Sequence, residues 1–209
     1  MRLGLFGGTF NPLHIGHLRV AEEVREKVRL DTIIFVPSYV PPHKELDCNV
    51  SGQQRLEIIQ RSIRANPFFE ASSYEVERSE PSYSIRTIEH FRSGNHVAPF
   101  FILGQDAFNE IATWYEAERL FSLAHFIVMS RPGEEKLNLD QVLGTSSSLY
   151  RPSVNGFINV HGNEILFIDV TPFSLSSSQI RSNRKEGKSI RYLVPEEAYE
   201  YIMTERIYG

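Results

Sequence analysis

The chain has 209 residues and a mass of 24.0 kDa, enough for one domain and cramped for two. An apolar fraction of 41% and a charged fraction of 23% exclude global disorder, and a net charge of −4 argues against a protein that lives on nucleic-acid backbone. A single cysteine, Cys48, rules out an intrachain disulfide and a cysteine zinc site, and no apolar run approaches the ~18 residues of a membrane span.

Leu3 to Phe6 is a short apolar run ending in Gly7-Gly8, which predicts a buried strand and a turn. Leu18, Ala21, Val24 and Val28 have helical spacing over Gly16–Val28, with Glu22, Glu23, Arg25, Glu26 and Lys27 on the other face; Arg25, Lys27 and Arg29 read as solvated. Thr32 to Val36 is a second buried strand. Ser51 to Arg64 is a helix with Ser51 as N-cap and Leu56, Ile59 and Ile63 inward. Pro67–Ser72 reads as a strand, Tyr83–Ser93 as a helix stopped by Gly94, and Pro99–Leu103 as a strand closed by Gly104. Two short helices follow, near Ala107–Ala112 and Glu116–Leu123, then a strand at Phe126–Met129.

Residues 133–163 read as an insertion or loop with a helix near Leu137–Leu143, and Ser146–Ser148 as a mobile loop. Ile165–Val170 is a further buried strand, and Ser176–Lys185 and Glu196–Thr204 are helices in a C-terminal helical part over 176–205. Phe100, Phe101, Phe121, Phe126 and Phe167 are expected in the core, and His90, His96, His125 and His161 carry no pattern. The strands are continuously apolar, hence buried on both faces, and they alternate with helices. This predicts a doubly wound α/β fold, a mostly parallel sheet with helices on both sides, in a single domain spanning 1–209. In such sheets the ligand sits at the carboxyl ends of the strands. Those ends carry Gly7-Gly8-Thr9, Pro41-Pro42-His43-Lys44, Gly104-Gln105-Asp106, Arg131 and Ser174–Ser178.

The densest signal is Gly7-Gly8-Thr9-Phe10-Asn11-Pro12-Leu13-His14-Ile15-Gly16-His17. Two glycines after a strand let backbone approach an anion, and the helix that follows offers a positive end. His14 and His17, three apart, share one side of that helix, an arrangement that suits a polyphosphate. The same pair could bind zinc, serve as base to a serine nucleophile, or only cap and pack. No third ligand in a zinc pattern and no Gly-x-Ser-x-Gly elbow accompanies it. Gly187-Lys188-Ser189 imitates the end of a P-loop, but no strand precedes it and Ser182 replaces the first glycine. Taken alone, Asp106 reads as an N-cap of the helix after Gly104, and Trp114 as a core tryptophan packed on the sheet.

Gly7–His17 resembles the HxGH signature of the nucleotidylyltransferases, and Leu175-Ser176-Ser177-Ser178-Gln179-Ile180-Arg181 resembles their second, C-terminal signature. Between them, Val40-Pro41-Pro42-His43-Lys44, Pro81-Ser82-Tyr83-Ser84, Gly104-Gln105-Asp106, Thr113-Trp114-Tyr115 and Ser130-Arg131-Pro132-Gly133 resemble the bacterial nicotinate-mononucleotide adenylyltransferase family in order and spacing. Leu175, Ser178, Ser84 and Asn11 depart mildly from the usual residues, each keeping size or hydrogen-bonding chemistry.

The resemblance implies a Rossmann-like fold and transfer of AMP from ATP to nicotinate mononucleotide, with pyrophosphate as the second product, in NAD synthesis. It implies His14, His17, Arg181 and Lys44 as catalytic residues. ATP would be bound by Gly7, Gly8, Thr9, Phe10, His14, His17, Gly104, Asp106, Arg131, Ser176, Ser177, Ser178 and Arg181. The acceptor would be bound by Thr9, His43, Lys44, Ser84, Trp114 and Tyr115. Mg²⁺ would ride on the ATP phosphates without a dedicated protein site. No nucleic-acid or membrane partner is expected, the location is expected to be cytoplasmic, and a homo-oligomer stays open.

Overall fold

A computed structural model describes residues 1–39, 50–78, 80–95, 97–130 and 138–209. Its strands are β1 (Leu3–Gly8), β2 (Thr32–Pro37), β3 (Phe69–Ala71), β4 (Phe100–Gly104), β5 (His125–Ser130), β6 (Tyr150–Ser153), β7 (Gly156–Asn159) and β8 (Glu164–Asp169). They form one sheet in the order β3-β2-β1-β4-β5-β8-β7-β6. Pairing is parallel from β3 through β8 and antiparallel at β8–β7 and β7–β6. The α/β Rossmann-like expectation holds.

The apolar runs work as a period-two code. Leu3 and Leu5 of β1 and Phe101 and Leu103 of β4 join one core layer, with Ile85, Ile88, Phe108 and Leu120. Phe6, Phe100 and Ile102 point the other way, into a layer with Ala21, Val24 and Ile59. The first layer rests on α4 (Ser84–Asn95), α5 (Gln105–Asn109), α6 (Ala117–Leu123) and α7 (Leu139–Leu143). The second rests on α1 (Ile15–Val28) and α2 (Gly52–Ile63). A third cluster joins Ile58 of α2 to α8 (Ser177–Lys185), α9 (Glu196–Thr204) and the C-terminal residues Ile207 and Tyr208. Ser51 caps α2 as expected, its hydroxyl accepting from Gln54 N–H at 3.1 Å.

Several local expectations need correction. Residues 138–163 contain α7, a 3₁₀ stretch over Gly144–Leu149 in place of a mobile loop at Ser146–Ser148, and the β6–β7 hairpin that widens the sheet. At Gly156 a side chain is impossible without movement, because a Cβ would lie 1.9 Å from the Ile165 carbonyl oxygen of the neighbouring strand. A short α3 (Tyr74–Arg78) precedes α4, which runs on through Gly94. The helix expected over Ala107–Ala112 divides into α5 and a 3₁₀ turn at Ile111–Thr113. Phe167 is only partly buried.

Glu23, read as solvent-facing, is buried. It accepts from Arg19 Nε and from the Thr171 N–H, both at 2.9 Å, and so ties α1 to the segment after β8. Burial raises its pKa, and the hydrogen bonds from Thr171 and the Arg19 charge outweigh this and hold it low.

Candidate active site

β1 leads through α1 to β2 on one side, and the chain later returns to place β4 on the other side of β1. The carboxyl ends of β1 and β4 therefore part at the switch point, where an open α/β sheet receives its ligand. A cleft opens there in two adjoining lobes, of about 470 Å³ and about 500 Å³. Phe6, Gly104 and Asp106 line both lobes and form their shared wall.

The larger lobe contains His14, Gly16, His17, Ser130, the segment Thr171–Phe173, Ser176 and Ser177. His14 is the N-cap of α1, and its backbone N–H donates to His17 Nδ1 at 3.3 Å. The two rings stack with centroids 3.7 Å apart. Gly16 permits this, since a Cβ there would come within 3.1 Å of the His14 ring. Burial lowers the His14 pKa to about 4. Burial, and then the neighbouring His14, lower that of His17 to about 3. Both imidazoles are neutral at pH 7. The buried His14 Nδ1 has no hydrogen-bond partner among the described residues.

The positive end of α1 is partly spent inside the protein. Its first N–H, that of Ile15, donates to the Leu193 carbonyl at 3.1 Å. Recognition of an anion in this lobe consequently falls more on the imidazoles and on hydroxyls than on free helix amides. Ser176 caps α8 by accepting from Gln179 N–H at 3.2 Å, and Ser177 Oγ donates to the Pro12 carbonyl at 2.8 Å. Arg181 stands in the second turn of α8, with Nη1 on the Asn11 carbonyl at 2.9 Å and Nη2 on Ser178 Oγ at 3.2 Å. Its guanidinium braces the loop before α1 from behind. Tyr208 Oη braces it from the other side, donating to Asn11 Oδ1 at 2.8 Å.

The smaller lobe is lined by Gly7, Gly8, Thr9, Ser38, Glu75, Ser82, Tyr83, Ser84, Glu110, Trp114 and Tyr115. Trp114 sets its ring at 85° to Phe101, with centroids 6.2 Å apart, so it both packs on the core and faces the lobe. Tyr83 and Tyr115 meet at 4.8 Å beside it.

The structure thus brings His14, His17, Ser176 and Ser177 together, and separately Thr9, Ser84, Trp114 and Tyr115. Gly7, Gly8 and Thr9, expected around ATP, line the other lobe, with Gly7 on the side of β1 that faces Phe101 and Gly8 on the side that faces Phe10. The Phe10 ring lines neither lobe; it is buried among Phe6, Phe35 and His17 and belongs to the core. Ser178 and Arg181 are not among the residues that line the lobe; they stand on α8 beside it, Arg181 on the Asn11 carbonyl and Ser178 Oγ. Asp106 falls one residue inside the first turn of α5, Gly104 holding the N-cap position, so its exposed carboxylate is left for the cleft. His43, Lys44 and Arg131 lie outside the described residues. Ser38, Glu75, Ser82 and Glu110 were not expected; their signal is only proximity to strand ends and to the Ser82-Tyr83-Ser84 motif.

A family profile described as cytidylyltransferase-like matches residues 5–183. Curated relatives described as probable nicotinate-nucleotide adenylyltransferases match end to end. The one from Desulfatibacillum aliphaticivorans is 41% identical, with all of both chains covered. The one from Geotalea daltonii is 39% identical, with 100% of this chain and 99% of the relative covered. The chain belongs to the nicotinate-nucleotide adenylyltransferases. It is accordingly a nucleotidyltransferase. Among solved structures, a Plasmodium falciparum nicotinic acid mononucleotide adenylyltransferase complexed with NaAD shares the fold with a TM-score of 0.73. The identity is 18%, and 99% of this chain and 97% of that chain are covered. Among the described residues of the enzyme, no helix is long and apolar enough to cross a membrane.

Proposed function

We propose that the His14/His17 lobe holds ATP, that the Trp114 lobe holds nicotinate mononucleotide, and that AMP passes between them across the wall formed by Gly104 and Asp106. A phosphate oxygen of the acceptor attacks the α-phosphorus of ATP. The P–O bond to the β-phosphate breaks, and pyrophosphate leaves with that electron pair. The products are nicotinate adenine dinucleotide and pyrophosphate, in NAD biosynthesis. The observation that carries this reading is the pair of adjoining lobes at the switch point, one built for an anion and one for a flat ring.

The attacking group is already an anion, so the protein need remove no proton. Its work is alignment and stabilisation of the charge that grows on pyrophosphate. Neutral His14 and His17 supply N–H donors without a competing charge reaction, and a bound polyphosphate draws their pKa values back up. The Ser176 hydroxyl adds a donor, Ser177 adds one on releasing the Pro12 carbonyl, and Arg181 adds a permanent positive charge whose Nη2 can exchange Ser178 Oγ for a phosphate oxygen. Lys44, His43 and Arg131 are assigned to the phosphates on their motif positions alone.

Trp114 stacks on the pyridinium ring as a cation–π face, and Ser84 and the Tyr115 backbone take its carboxylate. Mg²⁺ fits an oxygen set of ATP phosphates, waters and the single shared carboxylate of Asp106, and when bound it neutralises phosphate charge. The reading carries with it a cytoplasmic location, where these nucleotides are turned over, and it leaves a homo-oligomer open.

Pyrophosphate release from Mg-ATP, with nicotinate or nicotinamide mononucleotide side by side, tests it. The acid is expected to be strongly preferred. Equal use of the two overturns the acceptor assignment, and no release with either overturns the reaction.

A further inference from the structure

Arg55 of α2 heads the largest fully buried side chains, with 0% exposure. A guanidinium keeps its charge in any such setting, so full burial is costly unless its donors are met. Here the two Nη groups are met by backbone from two separate loops. Nη1 donates to the Thr9 carbonyl at 2.7 Å, just past β1. Nη2 donates to the Ser38 and Tyr39 carbonyls at 2.6 and 3.1 Å, just past β2. The network continues outward: the Tyr39 N–H donates to Ser82 Oγ at 2.9 Å, and Glu75 accepts from Thr87 Oγ1 at 2.5 Å and is also hydrogen-bonded to the Ser82 hydroxyl. Thr9, Ser38, Ser82 and Glu75 all line the smaller lobe, whereas Arg55 does not reach it. None of these partners belongs to the larger lobe.

We propose that Arg55 is a positioning residue for the acceptor nucleotide. It fixes the separation of the Thr9 and Ser38–Tyr39 segments and, through Tyr39 and Ser82, the seat of Glu75, so that one wall of the smaller lobe is set before substrate arrives. The role needs a planar fork: one flat group bridges carbonyls from two strands, which the compact ammonium of lysine cannot do with the same geometry. It also lays a fixed positive charge beneath a lobe that receives an anionic nucleotide.

This inference rests on the acceptor reading above, and its test separates the two. In the full-length enzyme, Arg55→Lys keeps the charge and loses the fork, and Arg55→Met loses both. Steady-state pyrophosphate release is measured with nicotinate mononucleotide varied at saturating Mg-ATP, and the reverse. The KM for the acceptor is expected to rise about tenfold in Arg55→Lys and more in Arg55→Met. The KM for ATP is expected to stay within about twofold, with native circular dichroism retained. Parallel rises in both KM values, or no change in a folded variant, overturn the proposal. Failure of both variants to fold also overturns it, leaving Arg55 a structural clamp only. Should wild type prefer a different acceptor nucleotide, the acceptor reading fails on its own and the same split is measured with that nucleotide.

Discussion

The two lobes of the cleft are built in opposite ways. In the larger lobe, proposed for ATP, the side chains face the cavity themselves: two neutral, stacked imidazoles, serine hydroxyls at the mouth of α8, and a buried His14 nitrogen without a hydrogen-bond partner among the described residues. Their support comes from distant pieces of chain, Thr171 held by Glu23, Leu193 on the first amide of α1, and Tyr208 on Asn11. In the smaller lobe, proposed for the acceptor, Arg55 stays behind the lining and holds backbone carbonyls. On the proposed reading, one lobe takes up a highly charged, flexible polyphosphate by offering donors, and the other holds its shape in advance for a rigid aromatic ring. Loss of a donor should therefore register in kcat or ATP binding, and loss of shape in acceptor binding.

The largest expected effect is at the donor lobe. His17→Ala removes an N–H aimed at developing charge, and kcat should fall by about 10²–10³-fold with the acceptor KM within about threefold of wild type. Steady-state kinetics with both substrates varied would show it; a comparable rise in acceptor KM would erase the division between the lobes. Next comes Trp114→Ala, for which the KM for nicotinate mononucleotide should rise by about 10–100-fold, the usual worth of one stacked ring. Its ATP affinity, read by titration calorimetry, should hardly change.

The third effect is on stability. The folded pKa values of His14 and His17, about 4 and about 3, lie below the ordinary 6.5. Both rings therefore favour the fold fully above pH 6.5, and this contribution is lost as pH falls through 6.5 toward 4, because the unfolded chain takes up the protons first. For His14 alone the loss between pH 7 and pH 5 is about 2 kcal/mol. Urea unfolding of His14→Gln at the two pH values should show a correspondingly flatter dependence than wild type. The smallest effect is Glu23→Gln, which weakens the tie to Thr171. It should cost about 1–2 kcal/mol in melting experiments and raise the KM for ATP a few-fold, leaving the acceptor KM alone.

The same division explains what could be read from residues in order. The residues that meet in the larger lobe come chiefly from two short runs, Gly7–His17 and Leu175–Arg181, and the strands that position them are unbroken apolar stretches, so their convergence was legible. Trp114 and Ser84 stood out through their local motifs, and the structure places both on the smaller lobe. Arg55 was half visible: it lies four residues before Ile59, on the inward stripe of α2, yet an arginine in a helix ordinarily reads as solvated. Glu23 failed for the same reason, since its partner is the Thr171 backbone 148 positions away. The β6–β7 hairpin was missed because edge strands bury little. Tyr150–Ser153 contains a proline and exposed positions, and neither strand shows the apolar run that marks β1 or β4. Phe10 was named with its sequence neighbours, and its ring turns inward to the core, which its position in the motif does not reveal.

The hydrogen bond from Tyr208 to Asn11 joins positions 197 residues apart. During synthesis on the ribosome, the loop that precedes His14 and His17 emerges 197 residues ahead of the tyrosine that braces it. A nascent chain can assemble β1, β2 and α1 early, but the brace on Asn11 arrives only when residue 208 has left the exit tunnel. Termination at codon 208 would remove that brace, leave every strand and helix in place, and is expected to loosen the loop around Asn11. Purified protein lacking residues 208–209 is the direct way to see that timing at work.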